Sequence, residues 1–157
     1  MSVRLHRLLS LLLLLTTLAA AQVVPNRGLL AADLQLAQTI ALEAGGADAE
    51  LTYANRIDLV NRTEFDSLLV VYAVRGEYRA VIDRGGARHS LVVDGQPRVI
   101  PRGDTFRRSG LRRPPSGPAI LRLISTFRDP QGEEWQRNLD FQFNGKEFVI
   151  VGQSTTR

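Results

Sequence analysis

Apolar and polar residues alternate along EWQRNLDFQF (134–143): Trp135, Leu139, Phe141 and Phe143 fall on one side, and Gln136, Asn138, Asp140 and Gln142 on the other. A period of two is the signature of a strand with one buried face. Asn144-Gly145 follows, two residues that tolerate positive φ, and KEFVIVG (146–152) returns. A two-residue turn pairs Phe143 with Lys146, Phe141 with Phe148 and Leu139 with Ile150. AILRLISTFR (119–128) precedes this hairpin through Asp129-Pro130-Gln131-Gly132, so three strands form a meander. Earlier, SLLVVYAV (67–74) is apolar nearly throughout, which suits a central strand covered on both faces. YRAVID (78–83), RHSLVV (88–93) and the shorter PRVI (97–100) follow it through Gly-containing turns, and RIDLV (56–60) is a weaker strand ahead of it.

One segment has a different period. In LLAADLQLAQTIALEA (29–44), Leu30, Leu34, Leu36, Ala37, Ile40, Ala41 and Ala44 share one helical arc. Asp33 intrudes on that arc in the first turn, where a carboxylate meets the positive end of the helix. Gly45-Gly46 ends it. These elements predict an α+β fold: an amphipathic N-terminal helix across the concave face of a curled antiparallel sheet of about six strands. The alternative is a small β-barrel or sandwich with the helix as a plug. PRGDTFRRSGLRRPPSGP (101–118) fits neither period. Its five arginines and four prolines read as a long loop inserted between strands.

Residues 1–21 stand apart from the domain. Arg4, His6 and Arg7 precede the apolar run Leu8 to Leu15, and Ala19-Ala20-Ala21 supply the small residues of a cleavage site. This predicts a signal peptide removed near Ala21 and a single exported domain over 22–157, destined for the periplasm or exterior of a bacterium. An uncleaved leader is the alternative, and the only expected membrane contact. The chain has no cysteine, which excludes disulfides, thiolate metal sites and a cysteine nucleophile. The sequon Asn61-Arg62-Thr63 is then read with Asn61 as a turn residue.

Charge is concentrated. The whole chain carries net +4, and without Arg4 and Arg7 the remainder has 18 basic against 16 acidic residues, or +2. Segment 98–113 holds six arginines against Asp104, or +5, so the rest of 22–157 is about −3. The candidate contact residues are Arg102, Arg107, Arg108, Arg112 and Arg113, with Phe106 as an apolar anchor. Guanidinium groups in a cluster suit phosphates, sulfates or an anionic surface. The expected role is binding without catalysis, toward an anionic surface, a polyanion or a protein partner, with no sequence-specific nucleic acid. A structural envelope module with a solvated loop is the competing reading. Arg102-Gly103-Asp104 also spells a cell-adhesion tripeptide, although matches this short arise by chance. A hydrolase is the minor alternative, with His89 as its single acid–base candidate. No cofactor or metal site is expected. Arg122 and Arg137, amid apolar neighbours, are read as side chains whose stems pack while their charges reach water.

Overall fold

The computed structural model describes residues 29–59 and 66–157. The leader at 1–21, the lead-in at 22–28 and Asn61 lie outside them. Helix α1 (Ala31–Gly45) leads into β1 (Ala49–Ile57), β2 (Ser67–Val74), β3 (Glu77–Arg84) and β4 (Ala87–Val92), then β5 (Thr105–Arg112), β6 (Ile120–Arg128), β7 (Glu134–Phe143) and β8 (Phe148–Thr156). The strand order is β1-β2-β3-β4-β8-β7-β6-β5. Two antiparallel four-stranded meanders are joined by a short parallel pairing, Leu91 with Phe148 and Val92 with Val149.

The eight strands curl into a nearly closed barrel whose seam lies between β1 and β5. Side chains bridge it. The Tyr53 hydroxyl meets Ser109 Oγ at 3.1 Å and Asn55 Nδ2 donates to the same oxygen at 3.4 Å. Near closure limits the exposed strand edge that an open sheet would leave.

Alternation along the strands sends side chains to two separate cores. Tyr53, Leu69, Val71, Ile82, Leu91, Phe106, Leu121, Leu123, Leu139, Phe141 and Phe148 fill the barrel interior and come from all eight strands. Ala37, Ile40 and Ala41 of α1 pack instead with Ala54, Leu68, Val70, Tyr72, Val74 and Val81. The helix therefore lies on the outer face of β1–β3, neither across the concave side nor as a plug. β2 is apolar on both faces because one face lines the barrel and the other carries the helix. Gly45 lets α1 sit close: a Cβ there would lie 2.7 Å from Ala49 Cβ and Tyr72 Cε2.

Asp33 fastens the start of the helix. Its Oδ2 accepts from the Leu30 N–H at 3.1 Å, and its Oδ1 accepts from Arg56 of β1 at 2.6 and 3.2 Å. The Arg56 hydrogen bond holds the Asp33 carboxyl below the ordinary carboxylate range, against the opposing effect of burial. A carboxyl lowered by folding contributes stability that is complete above about pH 4, its ordinary value, and lost as pH falls through the folded-state value. The gap in Tm between the wild type and Asp33→Asn should therefore be wide at pH 7 and narrow by pH 2–3. A gap independent of pH would show that the ion pair does not fasten the helix.

Several sequence expectations fail: the sheet has eight strands where about six are expected, and the first strand ends at Ile57 where RIDLV (56–60) is read as a strand. The segment read as an inserted loop contains β5, and PRVI makes only an isolated bridge, Arg79 to Arg98. A bulge at Arg107 explains the misreading: Phe106 pairs with Ser125, Arg108 pairs with Ile124, and Arg107 is the extra residue. With Arg107 set aside, Phe106, Ser109 and Leu111 fall on the inner side and Arg108, Gly110 and Arg112 on the outer side. At the hairpin, Asn144 Oδ1 accepts from the N–H groups of both Lys146 and Glu147 at 2.9 Å. That widens the turn to four residues, so Phe143 pairs with Phe148 and Phe141 with Ile150.

Candidate anion-contacting face and barrel mouth

The six predicted contact residues separate into three groups. Phe106 points inward, 6% exposed, with its ring edge-on to Tyr53 at 5.2 Å. It belongs to the core, so it is no surface anchor; its alternation was hidden by the bulge beside it. Arg102, Arg107 and Arg113 have internal partners. Arg102 donates to Glu77 Oε1 at 2.5 and 3.1 Å, and this hydrogen bond holds the Glu77 carboxyl below its ordinary range. Arg113 reaches across the seam to the Asp58 carbonyl at 2.6 Å and to its carboxylate at 3.0 Å. Arg107 donates to Thr126 Oγ1 at 2.8 Å and lies 3.7 Å from Glu134.

Arg108 and Arg112 form the third group. Both are exposed on the outer side of β5, and neither has a hydrogen-bond or ion-pair partner among the described residues. They stand four residues apart on one strand face, about 13 Å at the ordinary rise of a strand. Their cross-strand partners on β6 are Ile124 and Ile120, and the one charge between those two is already neutralised. Arg122, opposite Gly110, forks onto Asp140 at 2.7 and 2.8 Å, and that hydrogen bond holds the guanidinium more firmly protonated. Helix α1 covers the outer face of β1–β3, on the other side of the seam.

Arg122 and Arg137 do not send free charges to water. Arg137 lies on the inner side of β7 and donates to Asp104 Oδ2 at 2.7 Å, with its guanidinium 4.4 Å from the centre of the Phe127 ring. Asp104 also accepts from Ser125 Oγ at 3.0 Å, and its side chain is 4% exposed. The carboxylate of the Arg102-Gly103-Asp104 tripeptide is thus buried, which removes the adhesion reading.

His89 stands at one mouth of the barrel. Its ring is edge-on to Phe143 at 4.9 Å, and Nδ1 lies 3.1 Å from the Lys146 carbonyl. A carbonyl only accepts, so Nδ1 carries the proton and Nε2 is the free nitrogen. No carboxylate pairs with His89 among the described residues, so the geometry supplies it with no acid–base dyad. Nor do those residues contain a group of three or more His, Asp or Glu side chains placed to hold a metal ion. None of their helices is long and apolar enough to cross a membrane.

Compared with known proteins, the chain matches no family model, no curated protein and no solved structure. The site is therefore read from its own chemistry. Sequence reasoning found Arg108 and Arg112 but missed Arg84, which joins His89 at the mouth. Arg84 begins Arg84-Gly85-Gly86, a stretch whose turn signal gives no hint of what the barrel brings opposite it.

Proposed function

We propose that this chain is an exported, non-catalytic binding protein that contacts an anionic polymer or surface through the outer face of β5. The observation that carries this is the pair Arg108 and Arg112: two exposed guanidinium groups, aligned on one strand face and free of acidic partners. Unpartnered guanidinium groups can form charge-assisted bonds with phosphate or sulfate without first breaking an internal pair. Arg107, held by Thr126 and only distantly by Glu134, extends the same face. Arg102 and Arg113 serve the fold, because their charges are spent on Glu77 and Asp58.

The test uses a fluorescein-labelled single-stranded oligonucleotide as a generic polyphosphate, titrated at several salt concentrations. Each phosphate contact contributes about 0.7 to the slope of log K against log salt for a single strand. Changing Arg108 and Arg112 together to alanine should lower that slope by about 1.4, with weaker binding at low salt. Arg102→Ala should leave the slope unchanged. Equal slopes for the double variant and wild type, or negligible binding by both, would overturn the proposal.

A further inference from the structure

The geometry points to a second binding site, in the apolar mouth of the barrel, for a small amphiphilic carboxylate. A cavity of about 210 Å³ opens there, lined by Leu59, Ile82, Pro118, Ala119, Phe143 and Phe148, with Arg84 and His89 as its polar members. Ile82 and Phe148 are buried core residues, whereas Phe143 is 38% exposed. Phe143 packs on Phe148 at 5.1 Å between ring centres and edge-on against His89, so the aromatic wall is already assembled.

Of the two polar groups, Arg84 keeps unused donor capacity. Arg84 meets Asp66 through one nitrogen at 3.4 Å, in contrast to the bidentate fork of Arg122 on Asp140. That contact is too loose to complete Asp66, whose Oδ2 is buried without a hydrogen bond; Asp66 Oδ1 takes the Leu59 N–H and the Ser67 hydroxyl. Arg84 can therefore turn donors toward a bound anion, while His89, whose Nδ1 proton is given to the Lys146 carbonyl, contributes its ring to the wall and no bond to a carboxylate. One guanidinium partly offset by one carboxylate suits a monoanion better than a dianion. An apolar chamber with a few convergent polar groups is the ordinary form of a small-ligand site.

Size narrows the class. An apolar cavity of roughly 150 Å³ accepts benzene, so this one holds about eight non-hydrogen atoms. An alkyl chain of seven carbons with its carboxylate left at the rim beside Arg84 meets that limit. Octanoate is the probe. The site is independent of the β5 arginines, which lie on the outer face of the barrel.

Octanoate titrated into the full-length protein, followed by methyl NMR, should give saturable shifts at Leu59, Ile82 and Ala119, with Kd on the order of 100 µM. Arg84→Gln should raise that Kd about fivefold or more and leave binding of uncharged 1-octanol unchanged. Phe143→Ala should weaken both ligands. In the Arg108→Ala, Arg112→Ala double variant the octanoate Kd should stay as in the wild type, so failure of the β5 proposal and of this one can be told apart. Mouth methyls that stay still at millimolar octanoate would overturn the site. So would octanoate binding that is insensitive to Arg84→Gln, or that disappears with the β5 arginines.

Discussion

Replacing Phe141 with alanine should lower the free energy of unfolding by about 3–5 kcal/mol. Phe141 is fully buried on the inner side of β7, where it pairs with Leu121 of β6 and Ile150 of β8. Side chains from all eight strands share that interior. The loss has two parts: the apolar surface no longer withdrawn from water and the cavity left behind. In a curled sheet the second part is hard to relieve, because ladders on both sides of β7 hold its backbone in place. Denaturant unfolding should show a lower midpoint at an unchanged slope. Phe141→Leu, which keeps most of the volume, should lose far less and guards against a variant too unstable to study. Val151, half exposed at the β8 irregularity, supplies the contrast: Val151→Ala should stay within about 0.5 kcal/mol. A loss below about 1.5 kcal/mol at Phe141 would mean that the interior repacks freely.

Much of this architecture is legible in the sequence where one period runs unbroken. The helix appears within two residues of its predicted bounds, and β2, β3, β6 and β7 stand where their apolar runs place them. What the sequence does not carry is which side of β2 faces the closed interior. SLLVVYAV is apolar on both faces, so it is equally compatible with a helix inside the curl and a helix outside it. Closure decides the matter, and closure depends on β5. That strand was hidden because a single bulge residue, Arg107, breaks its alternation and sets two arginines side by side. The four-residue turn at Asn144 was hidden for a related reason. Asn-Gly signals a tight turn, whereas the Asn144 side chain captures two successive N–H groups and holds a wider one.

The candidate site was legible in composition and illegible in partnership. An arginine-rich stretch is visible in any sequence, but which arginines remain available depends on residues far away. Glu77 lies 25 residues from Arg102, and Asp58 lies 55 residues from Arg113. Asp58 approaches because the strands curl until β1 nears β5, and Glu77 because the segment after β4 bridges back onto β3 at Arg79 and Arg98. The same curling assembles the mouth from Leu59, Arg84, His89, Ala119 and Phe143, residues on separate elements with no shared motif. Ion pairing thus sorts the arginines of this segment into those tied to distant acidic residues and those that face outward unpaired.

Asp104→Ala should cost about 3 kcal/mol, the largest effect expected from any single charge among the described residues. Asp104 is buried just ahead of β5, held by Arg137 at 2.7 Å and Ser125 at 3.0 Å. Removing its carboxylate strands the Arg137 guanidinium on the inner side of β7, with the Phe127 ring as its remaining neighbour of opposite polarity. The Arg137 side chain is 18% exposed, so water can recover part of the loss, which places the cost at the low end for a broken buried pair. The informative variant is the double one. Arg137→Met keeps an apolar stem against Phe127 and removes the stranded charge, so Asp104→Ala combined with Arg137→Met should cost at least 1.5 kcal/mol less than the two single losses added together. Unfolding free energies of the four proteins at pH 7 complete the cycle. Additivity within about 0.5 kcal/mol would show that the pair is a contact without energetic consequence. Strong coupling would make Asp104 the anchor that fixes the start of β5, and with it the register that turns Arg108 and Arg112 outward.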